Sequence, residues 1–408
     1  MPERKHIMPE KQTETGKGEG ARRPRLALPW YGKTLLFLAV FILFFSLFVV
    51  PMGIGNAINT LMNTAYYILM NTVFYIMAIA VIAGAISELF SEYGVVELMN
   101  RLLSPLMKPL FGMPGASALG IITTYLSDNP AILTLAGDRK FRCYFKRYQV
   151  PALTNLGTAF GMGLIVTSSM LALSNRLGGG VAWATLCGNI GTVVGAIVST
   201  RLMLHFTKKA FGPEAPDSTE DIPEEAAPEE KPHGFLRMLS ALMEGGKKGV
   251  DLGLAIIPGV LVICSVVMML TYGAPEGGVY TGAAKEGIAL LPKIADWTGF
   301  LLKPLFGFSS GEALAIPVTA LGSAGAALSM VTQLVADGQV SLNDIAVFTA
   351  ICMCWSGYLS THVSMMDALK CNRFTGKAIL CHTIGGVAAG VTAHWLFVLL
   401  AMLLHLPM

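Results

Sequence analysis

The chain has 408 residues, 53% of them hydrophobic and 13% charged, with a formal net charge of +3. That is about half the usual globular share of charge, which excludes an ordinary water-soluble domain. The basic clusters flank apolar runs and no nucleic-acid reader motif is present, while the seven cysteines sit mostly in apolar sequence without paired zinc spacing, so neither nucleic-acid binding nor a disulfide framework is expected.

Residues 1–30 are polar and rich in Lys, Arg, Glu and Gly, which predicts a disordered cytoplasmic N-terminus. A first transmembrane helix follows at 31–51, too far from the start for a cleavable signal. Gly32-Lys33-Thr34 resembles the end of a phosphate-binding loop, but Ala27 stands where a glycine is required, so it is the basic flank of this span. A first repeat is expected over 60–206. It holds an apolar run at 66–89, an amphipathic stretch at 95–110, an apolar segment at 113–137 and spans at 150–173 and 183–204. An acidic cytoplasmic linker at 207–234 comes next, with eight acidic residues between Pro213 and Lys231. The second repeat, over 235–404, has a mixed stretch at 235–248 that reads as interfacial, then apolar runs at 252–270, 311–335, 342–366 and 378–404. A span needs about 20 helical residues to cross a core of about 30 Å.

Lys and Arg placement sets the topology. Arg22, Arg23 and Arg25 keep the N-terminus inside. If the segment 113–137 crossed the membrane, the basic cluster from Arg139 to Arg147 would lie outside. The segment carries its own breaker, Ser127-Asp128-Asn129-Pro130, which biases the chain away from helix. A re-entrant hairpin therefore fits, and 311–335, broken at Leu321-Gly322-Ser323-Ala324-Gly325, is its counterpart.

The two halves repeat. Lys108-Pro109-Leu110-Phe111-Gly112 returns 195 residues later as Lys303-Pro304-Leu305-Phe306-Gly307. Thr154, Ser169 and Met170 fall on Thr349, Ser364 and Met365 in the same register. After small loop shifts, Asn175-Arg176 matches Asn372-Arg373, and Cys187 with Gly191 matches Cys381 with Gly385. Matching loops have opposite charge bias: the basic cluster 139–147 corresponds to 336–345, which has no Lys or Arg. The expected fold is thus an all-α polytopic membrane protein. It has two inverted-topology repeats, each with a re-entrant helical hairpin, and one extra N-terminal transmembrane helix. The N-terminus lies in the cytoplasm and the C-terminus outside the cell (inner) membrane.

Irregular backbone inside a membrane survives only where it is buried in protein or lines a cavity, so the hairpin tips are the candidate site. Asp128 is an intramembrane acid, which suggests binding of substrate, proton or cation, but Asp also caps helices. Ser127 and Asn129 flank it, and Gly322 and Ser323 form the small second tip. The spans after the hairpins are rich in small polar residues. Asn155, Ser168 and Ser169 stand in the first, and Ser360, Thr361, His362, Ser364 and Asp367 in the second. The competing reading is packing, as for Gly157-xxx-Gly161 and Gly191-xxx-Gly195. His362 with Asp367, Cys352, Cys354 and His382 does not form a ligand-bearing helix face, so no metal site is expected; His362 reads as a hydrogen-bonding partner or proton carrier. Phe160, Trp355 and Tyr358 could stack on a planar solute or simply pack. No nucleophile–base pair stands out, so no catalytic residue is assigned.

Over 113–170 and 312–367 the chain resembles the nucleoside-recognition Gate-domain membrane proteins, with the 125–130 segment carrying the local likeness. These include the YjiH-like proteins and spore maturation proteins A and B. Related Gate units occur in concentrative nucleoside transporters and the ferrous-iron transporter B family, whose GTP-binding domain is not found in this sequence. The resemblance implies paired, inverted Gate repeats. The function expected is a secondary transporter or permease for a small polar solute, nucleoside-like solutes included, by alternating access around the tips. The alternatives are a Gate-fold assembly or regulatory protein without net transport, and an ion or metal permease. The expected partners are the lipid bilayer, the solute, and either a second copy or a second Gate-domain membrane protein. No cofactor is expected beyond a coupling proton or sodium ion.

Overall fold

The computed structural model describes residues 30–137, 139–212 and 234–407. Most of the expected N-terminal tail and linker lies outside them. The described residues contain helices and no strands. Among the described residues seven helical stretches are long and apolar enough to cross a membrane, so the chain is a multi-pass membrane protein. It divides into two compact units, residues 1–47 and 48–408. In the first, the described part is the apolar helix that begins α1 (Trp30–Met52), with the rings of Phe37, Phe41 and Phe45 adjacent at helical spacing.

The second unit runs through one series of elements twice. The first series is α2 (Ile54–Glu92), α3 (Val95–Phe111), the hairpin α4 (Ser117–Leu126) and α5 (Ala131–Gly137), α6 (Val150–Thr158), α7 (Gly163–Leu171) and α8 (Val181–Phe211). The second is α9 (Phe235–Thr271), α10 (Leu290–Trp297), α11 (Gly299–Phe306), the hairpin α12 (Ala315–Ala320) and α13 (Ala324–Ala336), α14 (Leu342–Trp355), α15 (Tyr358–Ala368) and α16 (Thr375–Leu404). Both α2 and α9 contain one π-helical turn, at Leu69–Val73 and Val260–Cys264. The repeated Lys-Pro-Leu-Phe-Gly motif ends α3 and α11 for one reason. Gly112 and Gly307 both take left-handed conformations, φ 70° and 62°, and their N–H groups return to the Lys108 and Lys303 carbonyls.

Equivalent helices of the two series pack as close, antiparallel pairs. On α2 and α9, a Cβ on Gly245 would meet the Gly84 carbonyl at 2.3 Å, one on Gly249 the Ala80 carbonyl at 2.4 Å and one on Gly253 the Met77 side chain at 2.3 Å. On α8 and α16, Gly195 faces Gly385 and Gly191 faces Ala389 and Ala393. Residue numbers rise on one helix as they fall on the other. Small residues let these backbones approach, which is the packing role read for Gly191-xxx-Gly195.

Three expectations need adjustment. The run read as 66–89 extends back to Ile54 without interruption. The stretch 235–248 is the first half of the continuous helix α9, anchored by Arg237 to Glu92 at the end of α2. Gly245 packs on α2, while Phe235, Leu236, Leu239 and Met243 stay exposed. The spans read as continuous over 150–173 and 342–366 are both broken, between α6 and α7 and between α14 and α15.

Candidate functional site

Four interruptions of helix meet in the second unit. The first is the hairpin tip 127–130, where α4 stops at Ser127 and Pro130 precedes α5. The second is the α6–α7 break, where Met162 adopts φ 55°. The third is the tip 321–323 of the other hairpin. The fourth is Ser356–Gly357 between α14 and α15, with Gly357 at φ 67°. Met162 and Gly357 are 195 residues apart, the spacing of the repeated motif. A left-handed methionine is uncommon, and it is held here by fully buried surroundings.

These breaks satisfy one another's backbone groups. Asn129 Nδ2 donates to the Ser356 carbonyl at 2.7 Å. The next residue, Gly357, donates its N–H to the Ala320 carbonyl at 2.9 Å. A single dipeptide thus ties the two hairpins together. A Cβ on Gly161 would lie 1.4 Å from Asn129 Oδ1 and 3.0 Å from Ser356 Oγ, so the α6–α7 break closes the same cluster and a side chain there would displace Asn129. Asn129 Oδ1 and Ser356 Oγ are buried without a hydrogen-bond partner. Behind the first hairpin, Tyr125 Oη sits 3.0 Å from Thr167 Oγ1 and donates to Asn189 Oδ1 at 3.1 Å, bracing the hairpin against α7 and α8.

A cavity of about 780 Å³ opens beside the first tip, between α2, α9 and the hairpin. Ser127 and Asp128 line it, with Thr123, Glu88, Lys248 and Asp251. Lys248 is bound to Glu88 at 2.7 Å and to Glu244 at 3.2 Å. Asp128 accepts the neighbouring Asn129 N–H at 2.7 Å, the local bond expected of an acid at a helix break. The lining therefore holds three carboxylates against one ammonium, and that ammonium is already paired. A smaller cavity, about 480 Å³, lies against Lys303 and Phe308–Gly311 and contains none of the predicted site residues.

The remaining predicted residues divide among several surroundings. Gly322 and Ser323 stand at the second tip, with the Gly322 carbonyl against Gly357 and Ser323 Oγ capping α13 through the Ala326 N–H at 3.2 Å. Asn155 is fully buried, donating to Ser199 Oγ and the Ala378 carbonyl at 2.9 Å each. Ser169 is buried without a partner, and Ser168 is half-buried on α7. Thr361 and Ser360 bond back to the Gly357 carbonyl, and Ser364 to that of Ser360. Ser360, Ser364 and Asp367 lie on the exposed side of α15, and Asp367 accepts Asn372 Nδ2 at 2.7 Å. His362 is fully buried and faces His382, away from the cavity. Among the described residues no three His, Cys, Asp or Glu side chains converge as a metal-ligand set.

Sequence reasoning missed Ser356, Gly357, Gly161 and Met162 at the centre, and Lys248 and Asp251 on the cavity wall. The 195-residue register was the available signal for the first group. The second group belongs to α9, whose first half gave no sign of facing the first hairpin.

On the far side of the second hairpin, the loop between α9 and α10 is pinned to α2. Asn56 Nδ2 donates to the Tyr280 carbonyl at 3.0 Å and Asn63 Nδ2 to that of Gly282 at 2.7 Å. Glu286 organises this loop. Burial acts to raise its carboxyl, but the Thr281 hydroxyl and the N–H groups of Thr281, Gly282 and Ala283 outweigh it and hold the group below the usual carboxylate range. Lys285 pairs with Asp337 at 2.7 Å at the end of α13. Burial, followed by its hydrogen bond to Asp337, pushes the Tyr272 phenol above its ordinary range.

Residues 73–174 match the family model for Gate, nucleoside recognition. That match takes in the second half of α2, then α3, the hairpin α4–α5, α6 and α7, with the first tip and the α6–α7 break. No curated protein matches the chain. Among solved structures, it is similar to CNTnw in an inward-facing substrate-bound state, at 14% identity and TM-score 0.47, covering 91% of this chain and 87% of that one. A doubly substituted CNTnw in an outward-facing state gives 14% identity and TM-score 0.48, covering 92% and 87%. The likeness to Gate-domain membrane proteins read from the sequence therefore holds over residues 73–174, the stretch that carries the first hairpin tip and the first broken span.

Proposed function

We propose that this chain is a secondary transporter that moves a small polar solute by alternating access around its two hairpin tips. The observation that carries the reading is the convergence of four mid-helix breaks on Asn129, Ser356 and Gly357, next to a cavity that reaches Asp128. Unwound backbone and helix ends at one point give a solute both hydrogen-bond donors and acceptors without exposing them to lipid. The antiparallel pairing of α2 with α9 and of α8 with α16 supports inverted repeats, because repeats of the same orientation would set equivalent helices parallel.

The cavity is walled by Glu88 and Lys248, close to the ends of α2 and α9 that carry Glu92 and Arg237. Positive-inside topology puts those ends in the cytoplasm, so this is the inward-facing arrangement. The Gate nucleoside-recognition match favours a nucleoside-like solute. The surplus of carboxylates favours one that presents N–H or O–H donors, or a positive charge, to Asp128. A sodium ion at Asp128 is the coupling alternative consistent with the same lining. The test is binding by the full chain in lipid nanodiscs, comparing nucleosides, their amino-substituted analogues and phosphorylated analogues. Neutral or cationic members should bind, and Asp128→Asn should weaken them at least tenfold. Preference for the phosphorylated, anionic members would overturn the assignment.

A further inference from the structure

The least satisfied polar side chain in the membrane-spanning part of the molecule is His362. It is completely buried, and neither ring nitrogen has a hydrogen-bond partner. The Tyr358 backbone one turn back acts on the ring without meeting hydrogen-bond geometry. A neutral imidazole always carries one donor and one acceptor, so both are idle here. Buried polar groups are almost always paired, and one left wholly unpaired calls for a physical explanation.

Its neighbour behaves differently. The His382 ring lies 4.6 Å from that of His362, and Tyr358 meets His362 edge-on at 5.6 Å. His382 Nε2 is 2.6 Å from the Cys354 carbonyl, which can only accept, so Nε2 carries the hydrogen. Nδ1 is then the acceptor for Ser199 Oγ at 3.0 Å. Ser199 in turn accepts Asn155 Nδ2 at 2.9 Å. Asn155, Ser199, His382 and the Cys354 carbonyl form one directed chain across both halves of the molecule. Every hydrogen in it is committed, so His382 cannot take a further proton without reversing the chain. His362 can, since it has a free lone pair. Asn155 Oδ1, in the same network, is an idle acceptor for a new donor.

The groups that would meet this charge are few. The same helix brings Tyr358 and α16 brings His382, whose own partners are the Cys354 carbonyl on α14 and Ser199 on α8. At the other end of α15, Asp367 lies on the exposed side of its last turn, and Lys370 and Arg373 follow the helix on the exposed side. None of the buried neighbours is a carboxylate. A charged His362 is therefore incompatible with this packing and selects an arrangement in which the ring reaches water or a counter-charge.

We propose that His362, with His382 as its fixed neighbour, is the proton-binding site through which this molecule responds to the proton gradient. Resting on the transporter reading, it assigns the coupling ion. The step is a simple protonation: the free ring lone pair takes H⁺ from hydronium and leaves water. Its leverage is positional. His362 follows by five residues the Gly357 pivot whose N–H holds one hairpin and whose neighbour's carbonyl holds the other. Moving the start of α15 to admit charge pulls on both tips.

The test uses the full chain in nanodiscs with ¹⁵N-histidine, titrated from pH 8 to pH 5. One imidazole should report a neutral ring at high pH, switch to the imidazolium signature within that range, and vanish in His362→Phe. His362→Asn serves the same purpose if the phenylalanine does not fold. Maleimide labelling of Ser127→Cys should change at least threefold across the same pH step in the parent, and not in His362→Phe. A His362 signal that stays neutral to pH 5, or a labelling change that persists without His362, overturns the proposal. Neither readout requires solute movement. A titrating His362 in a chain that binds no solute would count against the transporter reading alone.

Discussion

Gly161→Ala is the sharpest perturbation of the cluster. The new methyl would sit 1.4 Å from Asn129 Oδ1, so the Asn129 side chain must leave. Leaving breaks its 2.7 Å bond to the Ser356 carbonyl. The lost bond is worth about 1 kcal/mol and the abandoned buried carbonyl about 2 kcal/mol more, giving a loss of about 3 kcal/mol. Asn129→Ala, which loses the same bond and leaves the same carbonyl unpaired, should also cost about 3 kcal/mol. The double variant should cost no more than Asn129→Ala, because the obstruction is gone, which is a coupling of about 3 kcal/mol. Gly376→Ala is the control: nothing lies within 4 Å of its Cβ, and alanine in a helix should stabilise by up to about 1 kcal/mol. The assay is unfolding free energy in mild detergent for all four variants. Additive losses for Gly161→Ala and Asn129→Ala, or a Gly161→Ala as stable as the parent, would refute the interlocked cluster.

Three further outcomes follow. Asp128→Asn should leave unfolding free energy within about 1 kcal/mol of the parent, since the acid holds only a local backbone bond, and it should leave the His362 titration unchanged; a variant that binds solute like the parent would make Asp128 a cap alone. Glu286 has a depressed carboxyl, so its stabilisation is full above the unfolded value near 4.5 and is lost as pH falls through the folded value. Glu286→Gln should be less stable than the parent by about 2 kcal/mol at pH 7, with the gap closing as pH falls through the depressed folded value; a gap that does not vary with pH would refute the role. Single cysteines placed in 336–343 should label from outside and those in 139–149 only after permeabilisation, whereas labelling from one side for both would mean repeats of the same orientation.

The sequence exposed what depends on local chemistry. The Asn-Pro step at 129–130 marks the first tip, the repeated glycines at 112 and 307 cap helices, and long apolar runs mark the spans. It hid what depends on partners far away. The breaks at Met162 and Ser356–Gly357 lie inside apolar segments, and Met162 has no glycine to announce a positive φ. Asn129 meets Ser356 across 227 residues, a distance no periodicity encodes. Ser360 and Ser364 looked like site hydroxyls because they follow the hairpin, but α15 restarts after Gly357 with a rotation that turns them outward and His362 inward. The carboxylates of the cavity wall were legible as charges, not as neighbours, because α9 reaches the first hairpin only through its glycine face on α2.

The central claim is that the first tip is reached from both sides of the membrane in turn. Ser127→Cys, exposed at the tip beside the cavity, reports this directly through an impermeant maleimide applied to inside-out and right-side-out vesicles, with the parent chain as background for its own cysteines. Labelling is expected from the cytoplasmic face in this arrangement, and from the outer face once pH or bound solute shifts the population. Labelling from one face only, under every pH and solute condition, would contradict it.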